Sequence, residues 1–475
     1  LKARKKAGVD ETTKISDVEL RKICKEFALG YVEDQKKSFQ RLGVMGEWDN
    51  PYLTLKPEFE AKQIEIFGEM ALKGYIYKGL KPVYWCPECE TALAEAEIEY
   101  ADDKCHSIYV KFNVTDDKGL LTALGAELSK TYIVIWTTTT WTLPGNVAIC
   151  VGPQYTYHLV KAGDEYYVMA DELTESSMKA AKIENYEILG TIKGEELEYM
   201  KTAHPFLDRT SLVIVGDHVT LESGTGCVHT APGHGVEDYE VCRKYPELPI
   251  VVPVDSKGKL TDEAGEFSGL TTDAANKAIS IKLSSTNNLF ALEKIVHQYP
   301  HCWRCKEPVL FRATKQSFCS IEGFKDKALD EIKKVSWIPA WGEDRISSMV
   351  RDRSDWCISR QRIWGVPIPL FYCEACEEQI VTKETIGKIS DIFRKEGSDA
   401  WYIKTAAELM PEGHSCPKCG GTQFKKETDI MDVWFDSGVT HAAVCDERDY
   451  LHWPADCYLE GADQYRGWFQ SLYWS

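Results

Sequence analysis

Four cysteine pairs of the form CxxC constrain this chain more than any other feature of its sequence. They are Cys86/Cys89 in YWCPECETAL, Cys302/Cys305 in HCWRCKEP, Cys373/Cys376 in FYCEACEEQ and Cys416/Cys419 in HSCPKCGG. Two thiolates at this spacing on a tight turn can reach one metal ion, and two such turns complete a tetrahedral site. One CxxC alone would be a weak signal, redox-active or accidental. Four, each beside polar or turn-forming residues, make a strong one. The third and fourth pairs have 39 residues between them and most simply form a self-contained ribbon. Between the first and second lie 212 residues. If those two pairs share a metal, the chain leaves one knuckle, builds a whole domain and returns to the other. That pattern describes an inserted domain pinned at its base, although sequence alone permits other pairings. His414 is close to Cys416 and could substitute as a ligand, but a solvated surface histidine is the more ordinary reading.

The 17 cysteines are odd in number and no secretory signal accompanies them, which points to a reducing compartment and metal ligation rather than a disulfide framework. The opening LKARKKAGVD has neither a Met start nor an apolar signal core, and the closing GWFQSLYWS stops inside an aromatic-rich segment. A piece of a longer protein is therefore expected. No apolar run approaches the roughly 20 residues that span a bilayer, so no membrane segment and a cytoplasmic location are expected. A net charge of −18 argues against broad non-specific affinity for nucleic acid. It leaves room for a local basic surface such as RDRSDWCISRQRIWG, whose Arg351, Arg353, Arg360 and Arg362 either face nucleic acid or are consumed in salt bridges.

With 475 residues, two to four domains are expected. Leu20, Ile23, Phe27, Tyr31 and Phe39 fall at helical spacing over 18–43, and 57–73 reads as a second amphipathic helix. Between the first two knuckles the texture changes. SIYVKFNV alternates, and TYIVIW, YHLVK, YYVM and SLVIV are short apolar runs between turns, so about 99–298 reads as a β-rich insert. Mixed α/β texture returns after residue 307.

Two segments of the insert combine polar groups with turn geometry. In TYIVIWTTTTWTLPGNVAIC an apolar strand runs into Thr137, Thr138, Thr139 and Thr140. These are either a β-branched strand end or a polar wall that grips a hydroxylated ligand. In GTGCVHTAPGHGVEDYEV, Gly224, Gly226, Gly233, Gly235 and Pro232 let the backbone approach a ligand closely. His229, His234, Glu237 and Asp238 are candidate acid, base or ammonium-binding groups. Asp238 could hold an ammonium by a charge-assisted hydrogen bond. No serine elbow, HExxH or Cys/His nucleophile pattern is present, so a hydrolysis here would use water positioned by the pocket.

WTTTTWTLPGN, HTAPGHGVEDY, DWCISRQRIWGVPIP, DVWFDSG and LEGADQYRGWF together resemble the bacterial-type isoleucyl-tRNA synthetases, class I enzymes, and the likeness runs essentially from end to end. It departs at Thr140, where that family typically has Pro. The resemblance implies an α/β fold: an incomplete Rossmann-type catalytic domain interrupted by a β-rich editing domain and zinc-ribbon modules. It divides the chain into catalytic domain (1–81), zinc knuckle (82–98), editing domain (99–298), returning knuckle (299–306), catalytic domain (307–370), second zinc ribbon (371–425) and catalytic domain again (426–475). The family's HIGH-type motif would precede Leu1 and its KMSKS-type loop would follow Ser475.

The activity implied is ATP-dependent joining of isoleucine to tRNA(Ile), with hydrolytic editing of valyl-tRNA(Ile). This piece is expected to edit rather than to activate isoleucine efficiently. Carried over, Thr137, Thr138 and Thr139 would line the editing pocket, His229 would bound the part that admits valine, and Asp238 would bind the α-ammonium. Glu460, Gly461, Asp463 and Gln464 would contact the aminoacyl-adenylate, and Trp434 and Trp468 would wall the isoleucine side chain. The implied metal is structural Zn²⁺ at one or two sites held by Cys86, Cys89, Cys302, Cys305, Cys373, Cys376, Cys416 and Cys419. ATP with Mg²⁺, isoleucine and tRNA(Ile) are the implied substrates, and a monomer is expected. Two other readings remain: a free-standing aminoacyl-tRNA deacylase, and a zinc-ribbon nucleic-acid-binding protein, the latter disfavoured by the acidic charge and by LEGADQ.

Overall fold

The structure, a computed structural model, describes residues 2–10 and 13–475. The chain divides into two compact units. The β-rich unit holds 80–93 and 97–315; the mixed unit holds 1–79, 94–96 and 316–475.

In the β-rich unit, side chains alternate between two covered faces, as the pleat requires. Ile108, Val110, Phe112 and Val114 of the strand Ile98–Asp116 enter one hydrophobic core, while Tyr109 enters another. The strand Thr131–Thr137 splits the same way, with Ile133 and Ile135 on one side and Val134 on the other. So does Ala148–Val151, with Ile149 and Val151 opposite Ala148 and Cys150. Burial on both faces is why TYIVIW and AICV read as continuous apolar runs.

These strands close a ring. Ile98–Asp116 pairs antiparallel with Thr131–Thr137 in the register Ile108↔Thr137 to Asn113↔Tyr132, and with Lys201–Ala203 through Val114↔Thr202. Lys201–Ala203 pairs with Thr210–Val215, which runs parallel to Ala148–Val151. Ala148–Val151 pairs with Cys227–Thr230, and Val228↔Trp136 joins that strand back to Thr131–Thr137. Closure satisfies the sheet edges. A ring this small is filled by its own side chains, so a ligand cavity must form at strand ends and in loops. Beyond the ring, Leu289–Cys302 runs antiparallel to Ile98–Val110 and ends at Cys302↔Ile98. This two-stranded ribbon carries the chain from the ring to the first cysteine cluster.

The mixed unit is built around the buried helix Pro57–Leu72, which opens with proline at its first turn, where a missing N–H costs nothing. It packs against Lys383–Glu396, whose N-cap Thr382 accepts from the Thr385 N–H. Gly68 permits the approach: a Cβ there would lie 2.4 Å from the Ile386 side chain. The expected first helix forms as Asp17–Arg41, but its apolar stripe is not core, since Tyr31 and Phe39 are 48% and 47% exposed. Two arginines read as possible surface groups are instead consumed inside. Arg353 pairs with the half-buried Glu95 at 2.6 Å, and Arg360 pairs with the buried Asp432 at 2.8 Å. Both guanidinium groups are nearly buried, an arrangement that breaks at a high cost if one partner is lost. Among the described residues no helix is long and apolar enough to cross a membrane.

Phe112 is fully buried in the ring. Phe112→Ala is expected to destabilise the β-rich unit by about 3–5 kcal/mol, read as a lower urea midpoint by circular dichroism. An unchanged midpoint would mean that the ring does not carry that unit's core.

Candidate functional site

At one end of the ring lies a cavity of about 420 Å³. Thr137, Thr138, Thr139, His229 and Asp238 all line it, although they are up to 101 positions apart in sequence. Thr137 ends its strand, and the chain then bends through Thr138 into the short 3₁₀ turn Thr140–Gly145. The Thr139 N–H donates to Thr137 Oγ1 at 3.1 Å, and the two hydroxyls are 3.3 Å apart. The bend therefore presents three successive threonines to one cavity, where a continuing strand would turn every second one away. Thr140 is not among the lining residues: it is buried at the first position of the 3₁₀ turn. A helical first position also suits proline, so an exchange at 140 would act on the start of the turn, outside the residues that line the cavity.

His229 comes from the strand Cys227–Thr230, opposite Ile149. Both of its ring nitrogens are engaged. The Asn146 amide nitrogen donates to Nδ1 at 2.9 Å and also donates to the Ala148 carbonyl at 2.8 Å. Nδ1 must then be the acceptor, which leaves the ring proton on Nε2, 3.0 Å from Thr142 Oγ1. Thr142 in turn donates to the Thr139 carbonyl at 2.7 Å, and Ser211 Oγ donates to Asn146 Oδ1. Burial lowers the His229 pKa to about 3, with His204 and His234 pushing the same way. A neutral imidazole with both nitrogens spent is a wall and not a proton carrier. The sequence TWTLPGN gave no reason to assign Thr142 or Asn146 a role. Their side chains act through a neighbour, and no spacing rule announces that.

Asp238 lies in the first turn of the short helix Val236–Cys242. Its Oδ2 accepts from the Ala231 N–H at 2.8 Å, and Gly235 lets it close in, since a Cβ there would be 2.8 Å from that oxygen. Burial raises its pKa to about 6 against the Ala231 hydrogen bond, with Glu237 beside it adding to the rise. It is thus a carboxylate at neutral pH held at some cost, the condition in which a cationic partner is most welcome. His234 also lines the cavity. Its Nδ1 donates to the Phe311 carbonyl at 2.9 Å, its Nε2 is buried without a partner, and its ring meets Trp141 edge-on at 4.9 Å. Burial lowers its pKa to about 4. His218, Thr220, Ser223 and Thr225 complete the polar lining and were not singled out by sequence, because isolated polar residues in a loop carry no pattern.

The cysteines gather into two clusters, Cys86/Cys89/Cys302/Cys305 and Cys373/Cys376/Cys416/Cys419, with the sulfurs of each within 4.8 Å of one another. Sγ–Sγ separations of 3.4 Å for Cys86–Cys305, 3.5 Å for Cys373–Cys419 and 3.6 Å for Cys376–Cys416 are far longer than a disulfide. They are near the roughly 3.8 Å edge of a tetrahedral zinc–thiolate site. Each cluster could hold a metal ion. His414 is neither a member nor a solvated surface residue: its ring lies against Phe424 at 5.7 Å and its Nε2 is buried without a partner.

In the mixed unit, the Trp434 ring lies against Gly467, the residue before Trp468, where a Cβ would be 2.7 Å from that ring. The Trp468 indole N–H donates to the Ser437 carbonyl at 2.8 Å, and its backbone N–H donates to Gln464 Oε1 at 3.3 Å. Glu460, Gly461 and Asp463 are exposed next to this pair, and Gln464 is half-buried with its amide donating to Asp463 at 3.0 Å.

A family model described as tRNA synthetases class I (I, L, M and V) matches residues 2–474. A protein named isoleucine–tRNA ligase from Caldicellulosiruptor saccharolyticus is 62% identical over 467 residues, 98% of this chain and 50% of that protein. One of the same name from Carboxydothermus hydrogenoformans is 59% identical over 473 residues, 99% of this chain and 50% of that protein. The chain thus spans about half the length of these relatives. A solved structure titled "The crystal structure of GlLeuRS-CP1" is 15% identical with a TM-score of 0.32, covering 38% of this chain and 97% of that one.

His204, His229 and His234 are each held neutral by burial, with pKa values of about 4, 3 and 4. Their folded values lie below the unfolded value of about 6.5. The stability they contribute is therefore complete above that pH and is lost as pH falls toward the folded values. Asp238 has the opposite sign: raised to about 6, it offsets part of the loss between about pH 6 and 4. With three groups against one, the β-rich unit should lose on the order of a few kcal/mol between pH 7.5 and pH 5, measured by urea unfolding. Equal stability at the two pH values would contradict these charge states.

Proposed function

The chain belongs to the class I tRNA synthetases, and on that premise we propose that it serves the joining of isoleucine to tRNA(Ile), with the β-rich unit hydrolysing valyl-tRNA(Ile) formed in error. The ligase part of this reading rests on the relatives named isoleucine–tRNA ligase. There, isoleucine and ATP with Mg²⁺ would meet Trp434, Trp468 and the LEGADQ residues, and the adenylate would pass its acyl group to the tRNA 3′ end. The editing part has a physical motive. A missing methylene is worth only about 1–3 kcal/mol in an apolar pocket, a figure that comes from other enzymes of this family and not from this chain. A second pocket that hydrolyses whatever is small enough to enter supplies the rest.

One observation carries the editing reading: Thr137, Thr138, Thr139, His229 and Asp238 converge on a single cavity, whose roughly 420 Å³ is within the usual range for small-ligand sites. The threonine hydroxyls would hold the terminal ribose and a water. The neutral His229 ring, fixed by Asn146 and Thr142, would limit the depth available to the aminoacyl side chain. Asp238 would take the α-ammonium, whose positive charge favours the ionised carboxylate. Water adds its hydroxyl to the acyl carbon, the ester C–O bond breaks, and the proton goes to the ribose oxygen. Valine and a free tRNA end leave. The two cysteine clusters suit Zn²⁺, which would be structural, since four thiolates leave no open position.

The test is hydrolysis of valyl-tRNA(Ile) and isoleucyl-tRNA(Ile) by the purified chain. Valine should be released selectively, and Asp238→Ala should slow that release by about tenfold or more, the worth of a hydrogen bond to a charged group. Equal rates on both esters, or an Asp238→Ala variant as fast as the parent, would overturn the editing reading.

A further inference from the structure

The ribbon of Ile98–Val110 and Leu289–Cys302 carries, on one of its faces, polar side chains that belong neither to the cavity nor to a cysteine cluster. In its antiparallel register Cys105 stands opposite Ile295, and Asp103 stands opposite His297. Residues directly opposite share a face, and so do residues two apart on one strand. Cys105, Asp103, His297 and Tyr299 are therefore on one side of the ribbon, and all four are half-buried. The other side carries the exposed Tyr100 and Val296.

Cys105 Sγ lies 3.2 Å from His297 Nδ1, across the two strands. Burial pushes the Cys105 thiol up, and the charge of Asp103 adds to the rise. The pair is thus a thiol facing an imidazole nitrogen, not the thiolate of an activated nucleophile. The His297 ring meets Tyr299 edge-on at 5.6 Å, which fixes its plane. Negative charge on this face goes unanswered. Asp103 Oδ1 accepts from the Lys104 N–H at 2.9 Å, yet neither Asp103 nor Asp273 makes an ion pair among the described residues. Burial pushes up the Tyr299 phenol, and Asp103, Asp273 and Cys105 add to it. Sulfur, imidazole nitrogen and carboxylate oxygen are the donors that Zn²⁺ takes in sites with three protein ligands and one open position. Bonds of about 2.3 Å to sulfur and about 2.0 Å to nitrogen set those two donors about 3.5 Å apart on a tetrahedron. The observed 3.2 Å is a small rotation away from that. Asp103 is the donor that has to swing, since its carboxylate is not drawn into a close group as the eight clustered cysteines are. Its Cβ is nonetheless within about 5 Å of that of His297, as for any directly opposed pair.

We infer that Cys105, His297 and Asp103 form a further, exchangeable site for a zinc-like divalent cation, with water as the fourth ligand. The ion replaces the thiol proton, so a thiolate and a carboxylate bring two negative charges to its two positive ones. That answers the charge which this face otherwise leaves unneutralised. The ion ties the two strands of the ribbon together between the ring and the first cysteine cluster. The site has no part in the hydrolysis proposed above and stands or falls apart from it.

The test is a zinc count on the whole chain by native mass spectrometry, after equilibration in a zinc buffer. The parent chain should hold one equivalent more than Cys105→Ser, and His297→Gln should lose the same equivalent. A brief wash with a weak chelator should remove that equivalent alone, because four thiolates hold each ion of the clusters. Cadmium NMR of the cadmium-loaded chain reads the donor set directly. One resonance should appear at much higher field than the four-thiolate signals, and it should vanish in Cys105→Ser. Unchanged cluster signals report that the variant is folded; where Cys105→Ser disturbs them, His297→Gln decides in its place. An equal zinc count in the parent and a folded variant, or a cadmium spectrum holding four-thiolate signals alone, overturns the site.

Discussion

Closing the sheet of the β-rich unit into a ring decides where its chemistry can be. Once Thr131–Thr137 pairs on one side with Ile98–Asp116 and on the other with Cys227–Thr230, the ring interior belongs to Ile108, Phe112, Ile133 and their neighbours. Polar groups are driven to the places where strands stop. Thr137 is a strand's last residue, and His229 lies one residue before the end of another. The parallel pairing at Val228↔Trp136 sets those two ends side by side. The convergence of threonines and histidine thus follows from strand register, and the short helix Val236–Cys242 then adds Asp238.

Electrostatics within the cavity are settled by burial more than by ion pairs. His204 and His234 lie close enough to disfavour protonation of His229, and each of the three is satisfied as a neutral ring at one or both nitrogens. That leaves Asp238, with the exposed Glu237 beside it, as the charge facing the cavity, and the desolvation that raises its pKa is relieved when a cation arrives. On the proposed editing reading, the site would discriminate by shape at the His229 end and by charge at the Asp238 end. These are separable functions, carried by residues on different elements.

Much of this was legible in the sequence. The four CxxC pairs foretold the two clusters, because a thiolate turn can do little but ligate when it recurs four times, and the alternation in SIYVKFNV and the short apolar run TYIVIW foretold strands. The threonine run and HTAPGHGVED were legible as polar segments, and their meeting in one cavity was an expectation drawn from resemblance. What escaped was whatever acts through a second residue. Asn146 and Thr142 fix the His229 tautomer through hydrogen bonds that depend on how the Thr140–Gly145 turn folds back, and no local pattern encodes that. Arg353 and Arg360 stayed open between nucleic acid and salt bridges for the same reason: a dense arginine stretch decides nothing until the carboxylates of Glu95 and Asp432 are found beside it, and only the burial of the pairs was unforeseen. The stripe on Asp17–Arg41 shows the converse, a helical period that is real yet stays exposed among the described residues.

The central claim is that the fixed, neutral ring of His229 sets the size limit of the cavity. The most direct measurement is the ratio of hydrolysis rates for valyl- and isoleucyl-tRNA(Ile) in His229→Ala, with the thermal midpoint recorded alongside to show that the variant is folded. Removing the ring should admit the extra methylene, so that isoleucyl-tRNA(Ile) is hydrolysed at least about tenfold faster than by the parent chain. A folded His229→Ala variant that keeps the parent's ratio would contradict the account, and the size limit would have to be sought in another wall of the cavity.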